Sequence, residues 1–458
     1  MKSAIIKSRE ISSGYQYRLK PNGFLLEGKR IFANLKNNSA LKGMLTNIVK
    51  DVYRPGIFKR IFIKKPECGL PYITAQAMMT AMPLVYSKIL SVKLTDNLES
   101  MILHRGDILV SCAGTIGNIR LVDKFMDKAV GSQDIIRVKT QENYGFVYAY
   151  LASTAVYSFL QSQLYGSVVP RIEPDIVKNI PLVHFNTDKQ IHIDALIKKS
   201  LTLREEAIND LENAKEMLSS LINVSHFNHA YKTDVVSSKT IWTSLQHRLD
   251  PPALMNDGVV TMNKVISEFT YKTIGTINAK VHRPGIFKRS YVENGIPYIK
   301  GSEIFLTNPF RRCEQLSKTR TPFIDEMALS EGQILITCAG SVGNIKMITK
   351  EYEDKKAIGS QDIIRLVSED SLFTSEYLFT YLQLPFVFDY IQSMKYGSVI
   401  ERIEPFHVES IPVIEPTQEL SDEISCLIKQ YMSKTYRAFN CEEQAISMVE
   451  QEIEKWNK

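Results

Sequence analysis

Apolar residues follow two rhythms along this chain. Most of it reads as short apolar runs closed by Gly or Pro. Ile108-Leu-Val-Ser111 and Ile334-Leu-Ile-Thr337, each preceded by a turn-forming Gly-Asp or Gly-Gln, predict buried strands. Ile135-Ile-Arg-Val138 and Ile363-Ile-Arg-Leu366 predict two more. The stretches 146–164 and 374–394, rich in Tyr, Phe and Leu, predict helices whose aromatic residues serve packing. Beyond Ile180-Pro-Leu-Val183 the rhythm changes. Positions 197, 201, 204, 208, 211, 215, 218 and 222 alternate steps of four and three, and six of the eight are apolar. That is the seam of a long helix built to lie along another. Ile424, Ile428 and Tyr431, then Ile446, Val449, Ile453 and Trp456, repeat similar steps after Ile411-Pro-Val-Ile414. The expected fold class is α+β, in the order globular domain, helix, globular domain, helix. The two helices are expected to pair with each other as an antiparallel coiled coil.

The globular parts are copies of one another. Gly131-Ser-Gln-Asp-Ile-Ile-Arg137 recurs letter for letter as Gly359-Ser-Gln-Asp-Ile-Ile-Arg365. Arg54-Pro-Gly-Ile-Phe-Lys-Arg60 recurs as Arg283-Pro-Gly-Ile-Phe-Lys-Arg289, and Tyr165-Gly-Ser-Val returns as Tyr396-Gly-Ser-Val. The offsets of 226 to 231 residues are far above the ~20–50 of a solenoid, so a whole domain is duplicated. Tyr17-Arg-Leu-Lys-Pro21 resembles His247-Arg-Leu-Asp-Pro251, so both copies are expected to open alike. The expected division is a first domain over 1–185, a helix over 186–232, a second domain over 233–416 and a helix over 417–458.

Composition narrows the function classes. A length of 458 residues supplies two or three cores, and 44% hydrophobic with 23% charged residues is ordinary for globular protein. No run approaches the ~18 apolar residues of a transmembrane helix, and the N-terminus lacks the apolar core of a signal peptide. Six cysteines without a C-x-x-C argue against a disulfide framework and a zinc module. A cytoplasmic protein with no membrane partner is the expectation. The net charge of +6 is compatible with nucleic acid without identifying it, so local placement of Lys and Arg carries that argument.

The order of elements and the motifs resemble the specificity (S) subunit of type I restriction–modification systems. The resemblance spans essentially the whole chain. Its most specific parts are the Gly106-Asp-Ile-Leu strand leading to Gly114-x-x-Gly117, and the Ile180-Pro-Leu-Val183 exit followed by Gln190-x-x-Ile193. The second copy departs at the last motif, with Ser421 aligned to Gln190 and Gln418 nearby. The resemblance implies two target-recognition domains, each followed by a long helix that serves as spacer. It implies double-stranded DNA as ligand, read as two half-sites of a split target, and the blocks shared by two near-copies joined by antiparallel helices predict that the target is partly palindromic. It further implies partner DNA adenine methyltransferase subunits, two of them, and restriction endonuclease/translocase subunits that carry the catalysis.

The residues agree on the missing chemistry. Adenine-N6 methyltransferases hold a flipped base with an Asn/Asp-Pro-Pro-aromatic loop, whereas this chain has Asp250-Pro-Pro-Ala253, where alanine cannot stack. That segment reads as the opening turn of the second copy. Gly114-x-x-Gly117 and Gly340-x-x-Gly343 are too short for a dinucleotide fingerprint and read as tight turns. Cys112 and Cys338 read as buried packing groups, not nucleophiles. No catalytic residue, metal or cofactor is expected. The rival is a fused restriction–methylation enzyme, and a structural repeat scaffold is a third reading.

The candidate DNA contacts are the repeated polar residues beside glycine. Arg54, Lys59 and Arg60, with Arg283, Lys288 and Arg289, flank a Pro-Gly turn and suit phosphates or, equally, a solvated loop or a salt bridge within the domain. Gln133 and Arg137, with Gln361 and Arg365, suit adenine and guanine edges. Tyr165, Ser167 and Arg171, with Tyr396, Ser398 and Arg402, form a third loop suited to phosphate or base. The copies diverge between positions 74–103 and 300–329, where the second carries Arg311, Arg312, Lys318 and Arg320.

Overall fold

The computed structural model describes residues 28, 30–32, 41–85, 87–166, 169–223, 237–243 and 247–457. The expected opening segment at Tyr17 and the candidate Ser167 lie outside the described residues. Two compact units form, Met1–Glu205 with Arg437–Lys458, and Glu206–Tyr436.

In the first unit the central sheet runs Val49–Tyr53, Ile135–Thr140, Ile108–Ser111, Ile119–Leu121, antiparallel throughout. Ile108 stands opposite both Val138 and Leu121. All four residues of Ile108–Ser111 are buried, which is why the strand reads as an unbroken apolar run. Its two faces feed different cores. Ile108 and Val110 join Ile136 and Val138 in the large cluster that includes Phe146 and Tyr150, while Leu109 joins Ile135, Met78 and Leu103. A second sheet has the order Phe62–Ile63, Lys88–Ser91, Gly69–Ile73, Val130–Gly131, its last pair parallel.

The second unit repeats the plan. Ala279–His282, Ile363–Ser368, Ile334–Thr337 and Ile345–Met347 make its central sheet. Glu314–Leu316, Tyr291–Ile299 and Ile358–Gly359 make the other.

The aromatic stretches are helical, but each is two helices where the pattern predicts one. Tyr144–Ala152 and Thr154–Ser162 part at Ser153, whose backbone is extended and whose side chain accepts from the Val156 amide. Ser375–Leu382 and Pro385–Ser393 part before a proline, which has no N–H to continue a helix and forces Leu384 extended. The aromatics pack, as expected. The Tyr150 hydroxyl donates to the Pro181 carbonyl (2.5 Å), and that of Tyr377 donates to Ile414 (2.9 Å), so each helix clamps the strand that leaves its domain.

Two long helices follow, Thr187–Ile222 and Gln418–Asn457. The division between units falls inside both. In the first unit Ile193, Ile197 and Leu201 share a core with Ala445, Ile446, Val449 and Ile453. Lys189 Nζ lies 2.5 Å from Glu452 Oε2, and Ser200 Oγ donates to the Ala438 carbonyl at 2.7 Å. In the second unit Lys434 Nζ lies 2.7 Å from Asp210 Oδ2. The buried stripe differs from the expected seam. Ser200, Ala207 and Ala214 are buried, while Ile208 and Lys215 are only half-buried. Small residues thus enter the buried stripe, Ser200 bonding the Ala438 carbonyl directly, and a count of large apolar side chains passes over them. Among the described residues no helix is long and apolar enough to cross a membrane.

Candidate nucleic-acid interface

The block Gly-Ser-Gln-Asp-Ile-Ile-Arg is a folding unit. Arg137 is fully buried. Its Nη1 donates to the carbonyls of Ser132 (3.1 Å) and Ile135 (2.7 Å), and its Nη2 to those of Gly131 (2.7 Å) and Met101 (3.2 Å). Arg365 repeats this toward Ile363, Gly359 and Met327. The glycine that opens the block makes room for the arginine that closes it, since a Cβ on Gly131 would stand 2.7 Å from Arg137 Nη2. Burial pulls both guanidinium groups down to about 10, still charged at neutral pH. The expectation that Arg137 and Arg365 read base edges does not fit this burial: their Nη atoms bond backbone carbonyls inside the domain and their Nε atoms are buried without a partner. Gln133 and Gln361 are also engaged, each accepting at Oε1 from the amide of Phe58 or Phe287 (3.4 Å in both).

A glutamate in each copy collects the other loops. Arg54 Nη2 lies 3.3 Å from Glu173 Oε2, and the Tyr165 hydroxyl donates to the same carboxylate. Arg283 Nη1 bonds both oxygens of Glu404 at 2.9 and 2.8 Å, and the Tyr396 hydroxyl donates to Glu404 at 3.0 Å. Arg283 Nε also donates to the Gln361 carbonyl at 2.9 Å. Arg171 and Arg402 close the third loop through the backbone, each exchanging amide and carbonyl bonds with Tyr165 or Tyr396. Glu173 and Glu404 were not singled out by the sequence. The signal was there, because both stand in the shared Arg-Ile-Glu-Pro segment.

The glycine loops behave as expected. Gly114, Gly117, Gly340 and Gly343 all have positive φ, between 73° and 84°, where L side chains are strained. Ser111 Oγ and Thr337 Oγ1 close these turns, accepting from the Asn118 and Asn344 amides at 3.0 and 3.1 Å. Cys112 and Cys338 are buried beneath them, and burial pushes both thiols up to about 11.

What stands in solvent is a smaller set. Lys59, Arg60, Lys288 and Ser398 are exposed. Arg289 is turned inward, donating from Nε to the Tyr298 hydroxyl at 2.8 Å. In the divergent stretches Lys88 and Lys93 of the first copy, and Arg312, Lys318 and Arg320 of the second, are exposed. Arg54 and Arg283 are thus tied down within their loops, while Lys59, Arg60 and Lys288 of the same segments stand in solvent.

A family model, the type I restriction modification DNA specificity domain, matches residues 52–213 and again 267–445. This chain belongs to that family. Each of the two specificity-domain matches covers one set of the repeated blocks. Among solved structures, the S subunit of a type I restriction-modification system from M. genitalium is 14% identical, with 92% of this chain and 98% of that one covered and a TM-score of 0.34. The HsdS subunit from Thermoanaerobacter tengcongensis is 13% identical, with coverages of 90% and 95% and a TM-score of 0.28. A structure describing complex assembly and conformational transition of the type I R-M system is 13% identical, with coverages of 91% and 99% and a TM-score of 0.28. The comparison with curated proteins found no match. In this specificity protein, among the described residues, no group of three or more His, Cys, Asp or Glu is placed to hold a metal ion.

Proposed function

We propose that this chain, as the DNA specificity subunit of a type I restriction–modification complex, reads a split target with one half-site per domain, and leaves catalysis to its partners. The carrying observation is the double family match, one specificity domain on each set of repeated blocks. Domains 1–185 and 233–416 bind duplex DNA through exposed cations such as Lys59, Arg60, Lys288 and the divergent-stretch Lys318 and Arg320. Arg54, Arg283, Gln133 and Gln361 position these loops. The helices Thr187–Ile222 and Gln418–Asn457 pair as an antiparallel coiled coil and act as the spacer. The order of contacts supports this, since residue numbers rise along one helix as they fall along the other in Lys189–Glu452 and Lys434–Asp210. The outer faces of the helices take two DNA adenine methyltransferase subunits, and restriction endonuclease/translocase subunits join that core.

The test is enrichment of random-sequence duplexes by the full-length chain, followed by a salt titration on the recovered duplex. A two-part motif with an unspecified centre is expected, with log affinity falling linearly in log salt. A single contiguous motif, or methyl transfer from S-adenosylmethionine by this chain alone, would overturn the reading.

A further inference from the structure

Each glutamate hub ties down two loops that carry apolar side chains in solvent. Arg54 and Tyr165 bond Glu173, and Arg283 and Tyr396 bond Glu404. Between the anchored Arg54 and the Phe58 amide held by Gln133, the chain makes a short arch, in which Ile57, just before that amide, is 87% exposed. Between Arg283 and the Phe287 amide held by Gln361, Ile286 is 80% exposed. The tyrosine loops add Val169 in one copy and Val399, 92% exposed, in the other.

Single exposed apolar residues are ordinary on a protein surface. These two differ in three respects. They recur at one place in both copies, they sit on arches fixed at both ends, and an exposed lysine, Lys59 or Lys288, lies two residues on. An isoleucine that points into water adds nothing to folding, whereas on a fixed arch it can be buried against a partner at little cost in conformational entropy. The neighbouring cations select a polyanion. In a duplex, phosphates meet the lysines and the groove offers apolar surface, either a thymine methyl or a partly opened base step.

We propose that Ile57 and Ile286 are apolar wedges that enter a DNA groove and pack on bases, one in each half-site. The proposal rests on the DNA-recognition reading above.

The experiment uses the full chain with Ile57→Ser, Ile286→Ser, and the pair Lys59→Gln with Lys288→Gln, on duplex enriched from a random library by wild type. Each isoleucine variant is expected to bind about tenfold to thirtyfold more weakly, the scale of one lost apolar burial. Its salt slope stays unchanged, because no phosphate contact is lost. The lysine pair lowers the slope by about two. Repeating the enrichment with each isoleucine variant should relax the preference in one half of the motif only, a readout that general damage to the fold would not give. A motif and affinity unchanged in both isoleucine variants sink the wedge while leaving DNA recognition intact. Unchanged DNA binding with lost methyltransferase association assigns the tips to a protein contact and also overturns the wedge. If wild type enriches no motif at all, the underlying reading fails with it.

Discussion

Tyr148 and Glu442, 294 residues apart in the chain, share a buried hydrogen bond of 2.7 Å. The other oxygen of the same carboxylate meets Arg204 Nη2 at 2.5 Å, so a domain helix and both long helices converge on one charge. Buried polar groups of this kind fix register more than they add stability.

Glu442→Leu should therefore destabilise strongly, because it strips the mostly buried Arg204 guanidinium of its carboxylate. About 2–4 kcal/mol is expected in urea unfolding. Adding Tyr148→Phe and Arg204→Met in the same chain should recover most of that loss, since an apolar trio removes the carboxylate and the guanidinium together. If the single variant unfolds at the wild-type midpoint, the triad is not a structural unit.

Arg137 invites a second test. Four backbone carbonyls accept from its guanidinium inside the domain. Arg137→Met removes four hydrogen bonds at about 1 kcal/mol each, and the Ser132 carbonyl keeps a second donor in the Ile135 amide, so a loss of about 3 kcal/mol or more is expected. The fraction that remains folded should bind DNA with an unchanged salt slope. A stable variant with a slope reduced by about one would return Arg137 to the DNA surface.

Arg137 also marks what could be read from letters. The strands around it were legible because both faces are buried and the apolar run is unbroken. The arginine looked like a reader of bases because its guanidinium suits a guanine edge, beside a glutamine that suits adenine. Its partner is the curve of its own backbone, which no pattern of letters displays. The repeated Arg-Pro-Gly segment was legible as a loop, and a salt bridge within the domain was open to Arg54 and Arg283, but the partners Glu173 and Glu404 lie more than a hundred residues downstream and could not be named. The helix seam was legible where Leu and Ile mark it. It was missed at Ser200, Ala207 and Ala214, which are buried although small side chains add little to a hydrophobic count.

The buried cysteines give a prediction in pH. With their thiols pushed up to about 11, Cys112 and Cys338 have roughly one part in a thousand as thiolate at pH 8. Iodoacetamide on the native protein at that pH should label the exposed Cys68 and Cys426 and spare the other two. Denaturation in urea should bring Cys112 and Cys338 to the same labelling rate as the exposed pair. Fast native labelling of either one, read by peptide mass spectrometry, would show an open site beneath the glycine turn.

The spacer can be tested by changing its length. The Thr187–Ile222 helix, with 36 residues at about 1.5 Å each, is roughly 54 Å long. Four residues inserted after Asn213 add about 6 Å and turn the helix about 40° beyond one full turn, nearly keeping its face. An insertion there alone would leave the second helix short and strain the pairing. A matched insertion after Ile428, opposite by the sense of the Lys434–Asp210 contact, lets both lengthen together. At about 3.4 Å per base pair, the unspecified centre of the target should grow by one or two base pairs while both half-site sequences persist. The motif enriched from random duplexes, or the methylated motif in host DNA, reads this directly. A doubly lengthened chain that folds and keeps the original gap would show that the distance between half-sites is set somewhere other than in the helices.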